Sequence, residues 1–271
     1  MRYIDISQFV ESLPEDVLTS LADKEQAVDA GADQGKQTII SDGNTTWTQT
    51  KVFLEATSSR KCWYTESKNP GCTNDVEHFR PKGRIEKSDG GLLHWYWFLA
   101  FDPENYRLSC QFSNRLNINL ESGLTGGKGS KFPLLAGPGY ATTKVEISLE
   151  KPVLLDPCNK DDCELLEFQP DGRPVIAADS RENPESCDRV EKSKLLLNLD
   201  FPTFNEDREA LYNQIKQLVE RGDRYGMDNP AFQDIEADLK GLMEADMPYS
   251  RAAECYIRCF RDREWVESLL F

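Results

Sequence analysis

Pro184 divides the chain into two kinds of pattern. Beyond it, apolar residues recur at helical spacing almost to the end: Leu195, Leu196, Leu197 and Leu199 close one helix, residues 204–219 give a second, 232–243 a third, and 252–260 and 265–271 the last. Before it, turn residues interrupt every apolar stretch between 62 and 177, so only short strands and helices fit there. That contrast predicts an α+β chain. A small mixed centre (61–135) follows a helical amino-terminal segment (1–60), and 136–271 holds short strands and then helices.

Local signals refine the reading. Residues 5–30 suit two short helices or one broken by Pro14. The glycines and aspartates of 31–43 read as a loop, and helical spacing resumes over 47–58. Residues 62–85 suit an irregular hairpin with a turn at Asn69-Pro70-Gly71 and a short strand over 76–79. The aromatic run 92–101 should be largely buried, with His94 packed among rings. Residues 108–119 suit a short helix, which would put Asn114 and Asn117 on one face. The glycine-rich stretch 123–139 reads as an exposed loop. Short strands are expected at 153–155, 165–168 and 175–176, the last after an Asp171-Gly172 turn.

Within 271 residues there is no run of eighteen apolar residues and no basic-then-apolar leader, so a soluble, cytoplasmic protein is expected. Eight cysteines in such a chain are then a packing or metal question before a disulfide one.

Chemistry concentrates in Asp75-Val76-Glu77-His78-Phe79-Arg80-Pro81-Lys82. Phosphodiester hydrolysis needs a base for water, a divalent cation on the phosphate oxygens and cations for neighbouring phosphates. Histidine suits the first role, and the chain has only two. Carboxylate and amide oxygens such as those of Glu77 and Asn114 suit Mg²⁺. Arg80, Lys82 and Arg115 are candidate phosphate contacts by charge. The net charge of −15 argues against strong binding of nucleic acid by the whole chain. The central cations nevertheless leave room for a local basic groove, or for a partner that supplies the DNA-binding surface.

The same residues carry a resemblance. Lys61-Cys62-Trp63-Tyr64, the run from Asp75 to Lys82, Trp97-Phe98-Leu99-Ala100-Phe101, Asn105, Ser109-Cys110, Ser113-Asn114-Arg115 and Lys131-Phe132-Pro133-Leu134 resemble the HNH endonuclease superfamily. Within it they look like the PtuB-like nuclease subunits of Septu and retron-associated anti-phage systems. Later fragments at 153–159 and 247–250 are similar too. The resemblance implies a ββα-metal nuclease core that uses Mg²⁺ or Mn²⁺ to hydrolyse DNA, in complex with a PtuA-like ATPase. It makes His78 the general base, Asn105 the residue orienting the base loop, and Glu77 and Asn114 the metal ligands, with Asp75 and Asn117 as candidate helpers. Two alternatives stand beside this: cleavage of RNA, and a degenerate domain kept as a regulatory or scaffold subunit.

One departure is plain. Where many members of the superfamily hold zinc with two C-x-x-C pairs, this chain has Cys62-Trp63-Tyr64-Thr65 and Cys110-Gln111-Phe112-Ser113. Half of the thiolates a tetrahedral site needs are hydroxyls, so a structural zinc is not expected. Cys72 and His94 are the remaining candidates to complete a set with Cys62 and Cys110.

Overall fold

The computed structural model describes residues 1–69, 71–86, 91–119, 123–137 and 139–270. Pro70 of the expected turn, Pro138 of the glycine-rich stretch and the terminal Phe271 lie outside them. Two helices, α1 (Ile6–Glu11) and α2 (Glu15–Ala30), flank Pro14 as the spacing predicts. The Asp5 carboxylate accepts the Ser7 N–H at 3.0 Å and caps the first.

Residues expected to form a loop instead make α3 (Asp33–Asp42). The reason is tertiary: Ile40 is buried, and the buried Lys36 places its ammonium 3.3 Å from the Trp97 ring centroid. Next come α4 (Asn44–Thr48) and α5 (Lys51–Thr57), which deliver the chain to Cys62.

Strand β1 (Asp75–His78) does not close a local hairpin. Its partner is β4 (Tyr106–Ser109), antiparallel, with Asp75 opposite Ser109 and His78 opposite Tyr106. Between them in sequence, β2 (Arg84–Glu86) pairs with β3 (Leu92–Trp95). The aromatic run is buried from Tyr96 onward, apart from half-buried Trp97, while Leu92 and Leu93 are exposed.

The expected helix over 108–119 shrinks to one turn, α6 (Gln111–Asn114). Arg115 is already extended, and β5 (Asn117–Ile118) pairs with β6 (Thr125–Gly126). The glycine-rich stretch is likewise no free loop, since Lys128 and Phe132 are both 1 % exposed. Residues 153–155 are buried without becoming a strand; the nearest pairing is a single bridge between Leu134 and Pro152.

The later hairpin and most of the carboxy-terminal helices follow the sequence, while α7 (Lys160–Glu164) is not expected from it and the last helix, expected over 265–271, is shorter. After α7, β7 (Leu166–Phe168) and β8 (Pro174–Ile176) form a hairpin whose Gly172 has φ +80°. Helices α8 (Pro184–Leu196), α9 (Pro202–Tyr225) and α10 (Pro230–Leu242) each begin on proline, and Asn183 and Asn229 cap the first and third. Then come α11 (Ser250–Arg258) and α12 (Glu264–Glu267). Among the described residues, no helix is long and apolar enough to cross a membrane. All eight cysteines are free thiols.

The strand pair β1–β4 lies between two cores. Phe79, just past β1, packs with Tyr96, Phe132 and Leu155 on one side; Tyr106 and Leu108 pack with Phe9, Trp63 and Phe101 on the other. Side chains of β1 therefore enter two different environments in alternation.

Candidate functional site

His78 ends β1 with its ring 4 % exposed, packed edge-on against Trp47 and Tyr106 at centroid distances of 5.2 and 4.9 Å. Its Nε2 lies 2.9 Å from the Ala100 carbonyl oxygen. A carbonyl can only accept, so Nε2 carries the proton and Nδ1 carries the lone pair. Nδ1 is buried without a partner. Burial pushes the imidazole well below its usual 6.5, and the cations Lys82 and Lys128 act in the same direction against the Ala100 hydrogen bond.

The sign of the resulting pH dependence follows. Below about 6.5 the unfolded imidazole takes a proton that the folded one refuses, so this group's contribution is complete above that pH and declines beneath it, by up to about 1.4 kcal/mol per unit. Melting temperatures measured from pH 8 to pH 5 should fall on the acid side more steeply for the native chain than for His78→Gln. Parallel curves would contradict the assignment.

Asn105 ties the chain after β1 to the chain before β4. Its Oδ1 accepts the Arg80 N–H at 2.8 Å, and its Nδ2 donates to the carbonyls of Arg80 (2.9 Å) and Leu99 (3.2 Å). The next residue after Leu99 supplies the carbonyl that orients His78. Asn105→Ala should cost about 1–3 kcal/mol, since three backbone groups lose a buried partner. Asn105→Asp, which keeps Oδ1 but loses both donors, should recover only part of it in denaturant titrations.

Glu77 points to the opposite face of β1 from His78. It is 3 % exposed, accepts the Tyr64 hydroxyl at 2.8 Å and is ion-paired with Lys128. Asp75, two residues earlier on the same face, accepts Nδ2 of Asn114 at 3.0 Å and a two-pronged contact from Arg115 at 3.0 Å. The single turn of α6 thus carries Asn114 to β1. Asn117 instead donates to the backbone carbonyls of Gln111, Phe112 and Arg115, closing the turn after α6.

The three candidate phosphate contacts differ in availability. Arg80 is engaged by Glu150 at 2.7 Å. Lys82 lies 4.9 Å from the Trp47 ring centroid, and its pKa is lowered by burial. Arg115 is well exposed while it holds Asp75.

The two pairs in which a hydroxyl replaces the second cysteine converge as two thiols and two hydroxyls. Cys110 Sγ lies 3.4 Å from the Ser113 hydroxyl. Burial pushes both thiols up, but hydrogen bonds from Cys110 and Thr65 outweigh it at Cys62, which is drawn down to about 6; Cys110, serving Cys62, is held well above its usual value. Cys72 and His94 do not complete a set. Cys72 is exposed, His94 stacks on Tyr140 at 5.0 Å, and no group of three or more His, Cys, Asp or Glu spaced for a metal occurs among the described residues.

Sequence reasoning did not single out Tyr64, the Ala100 carbonyl or the inward course of Lys128. The glycines on either side of Lys128 were the available signal for the last.

The architecture is that of a mixed α/β protein whose charged and amide side chains gather on one short strand pair and one helical turn. No family model matches the chain. It is 34% identical over 169 residues to the Septu protein PtuB of Bacillus mycoides (strain KBAB4), a match covering 61% of this chain and 52% of that protein. The match spans about half the length of that protein.

Proposed function

We propose that the chain is a metal-dependent HNH-type endonuclease that hydrolyses DNA, acting as the nuclease subunit of a Septu-like anti-phage complex with a PtuA-like ATPase. The carrying observation is the His78 ring, with Nε2–H fixed on Ala100 and an unpartnered lone pair on Nδ1. Support for the setting comes from the antiparallel pair β1–β4 followed directly by α6, the order a ββα core requires. The likeness to the Septu protein supports the biological role.

In this reading His78 Nδ1 takes a proton from water as the water oxygen attacks phosphorus and the bond to the 3′ oxygen breaks, leaving a 5′-phosphate and a 3′ alkoxide that takes a proton from a solvent water to become the hydroxyl. Asn105 holds the Arg80 and Leu99 backbone so that the Ala100 carbonyl keeps the ring in this tautomer. The resemblance implies a divalent cation. Hard oxygen donors suited to Mg²⁺ are present in Glu77 and Asn114, with Asp75 on the same strand face as Glu77, so the residues fit in kind, although Glu77 and His78 diverge to opposite faces at the end of β1. Such a cation would supply positive charge to the phosphate and to the departing oxygen.

A second reading, an inactive scaffold subunit, is favoured by the closure of the site: His78 Nδ1 is buried, and Glu77 is neutralised by Lys128. Purified chain, alone and with a PtuA-like ATPase, should nick supercoiled plasmid with Mg²⁺ or Mn²⁺ and not with EDTA. Matched single- and double-stranded DNA and RNA identify the substrate. An absence of metal-dependent cleavage in every combination would favour the scaffold.

A further inference from the structure

Lys128 is the most completely enclosed lysine of the site region, and lysine is almost never fully buried without a partner. Its ammonium donates to the Glu77 carboxylate and, at 2.8 Å, to the His78 carbonyl. Its backbone N–H donates to the Ser113 carbonyl at 2.8 Å, and the next N–H, of Gly129, to that of Asn114 at 2.8 Å. One residue therefore joins both elements that carry the proposed metal ligands. The chain reaches this position through Gly127 and Gly129, at φ +92° and +52°. A Cβ on Gly127 would lie 1.9 Å from the Arg115 carbonyl oxygen, so the approach is possible only for glycine.

The charges on this face are balanced one by one: Arg115 on Asp75 at the surface, Lys128 on Glu77 inside. A second, divalent cation on Glu77 with Lys128 still in place would set like charges against each other where water screens them little. We propose that Lys128 is the resident counter-cation of the Glu77 carboxylate, and that its ammonium withdraws when a divalent cation binds there. This rests on the nuclease reading and adds a gate to it. The ion pair keeps the metal-free site folded and closed, and the Lys128 side chain is the part that moves while its backbone stays bonded to Ser113.

The test is Mn²⁺ binding to the full chain, by calorimetry and by water-proton relaxation, with melting temperatures recorded with and without metal. Lys128→Met, similar in length but uncharged, should bind Mn²⁺ about tenfold or more tightly than the native chain, because the carboxylate no longer has to surrender a partner. Without metal it should melt lower than the native chain, and Mn²⁺ should restore it; in Glu77→Gln/Lys128→Met both effects should vanish. Equal or weaker binding by Lys128→Met, or a gain that survives in the double variant, overturns the proposal. Should Lys128→Met not fold without metal, refolding in Mn²⁺ and the Lys128→Gln variant provide the readout, and failure of both to fold in Mn²⁺ also overturns it. Native chain that binds Mn²⁺ while Lys128→Met gains nothing defeats the gate alone; no binding by native chain or variants defeats the metal-nuclease reading with it.

Discussion

His78→Ala is expected to lower metal-dependent cleavage by about 10²–10⁴-fold, the usual loss on removing a general base. The fold should survive the change. The Ala100 carbonyl that accepts Nε2–H also accepts the Tyr106 hydroxyl at 3.1 Å, so it is not left without a donor when the imidazole goes. Circular dichroism should therefore show an intact chain whose plasmid-nicking rate has collapsed, in the same conditions that support cutting by the native complex. Native-level nicking by His78→Ala would remove the histidine from the mechanism, whatever its geometry. A native chain with no activity, combined with undiminished phage protection by His78→Ala in cells, would support the scaffold reading.

The second large effect concerns stability. Arg107 lies opposite Glu77 in the β1–β4 ladder and is 4 % exposed. Its guanidinium makes two 2.7 Å contacts to Asp156 and donates to the carbonyls of Glu104 (2.7 Å) and Tyr106 (2.8 Å). Burial would lower its pKa, but the Asp156 carboxylate outweighs that and raises it, so the group stays charged. Arg107→Met removes the guanidinium, which also lies 5.2 Å from the Phe79 ring centroid, and leaves Asp156 and two carbonyls without its donors. Removing one partner of a buried pair costs about 3–5 kcal/mol. At about 2–4 °C per kcal/mol for a chain of this size, the melting temperature should fall by about 6–20 °C. A drop within about 2 °C would mean that water replaces the guanidinium freely and that the pair does not brace the strand pair.

Arg107 and Lys128 expose the same limit of sequence reading. Both are charged residues in a chain rich in charge, and nothing in their neighbourhoods marks one as bound to residue 156 and the other to residue 77. Ion pairing across such separations depends on which segments are brought together, and spacing along the chain does not encode it. The helix expected over 108–119 shows the converse error. Apolar and amide spacing there fits a helix, but Leu108 and Ser109 pair with Val76 and Asp75 of β1, Arg115 turns extended and β5 pairs with β6, so strand pairing overrides local preference. At α3, loop-like composition was overruled by the burial of Ile40 and the stacking of Lys36 on Trp97.

What the sequence determined by itself was local. Proline and asparagine placed the starts of the carboxy-terminal helices, because a missing N–H and a capping amide act within one turn. The Asp171-Gly172 turn was fixed by the need for positive φ. The order of residues around His78 identified the candidate base and its asparagines. Tertiary structure alone decided the tautomer of His78, through the carbonyl of Ala100, and the state of Glu77, through the ammonium of Lys128. Both depend on single hydrogen-bonding atoms brought within about 3 Å from segments distant in sequence, and distance of that kind exists only once the chain has folded.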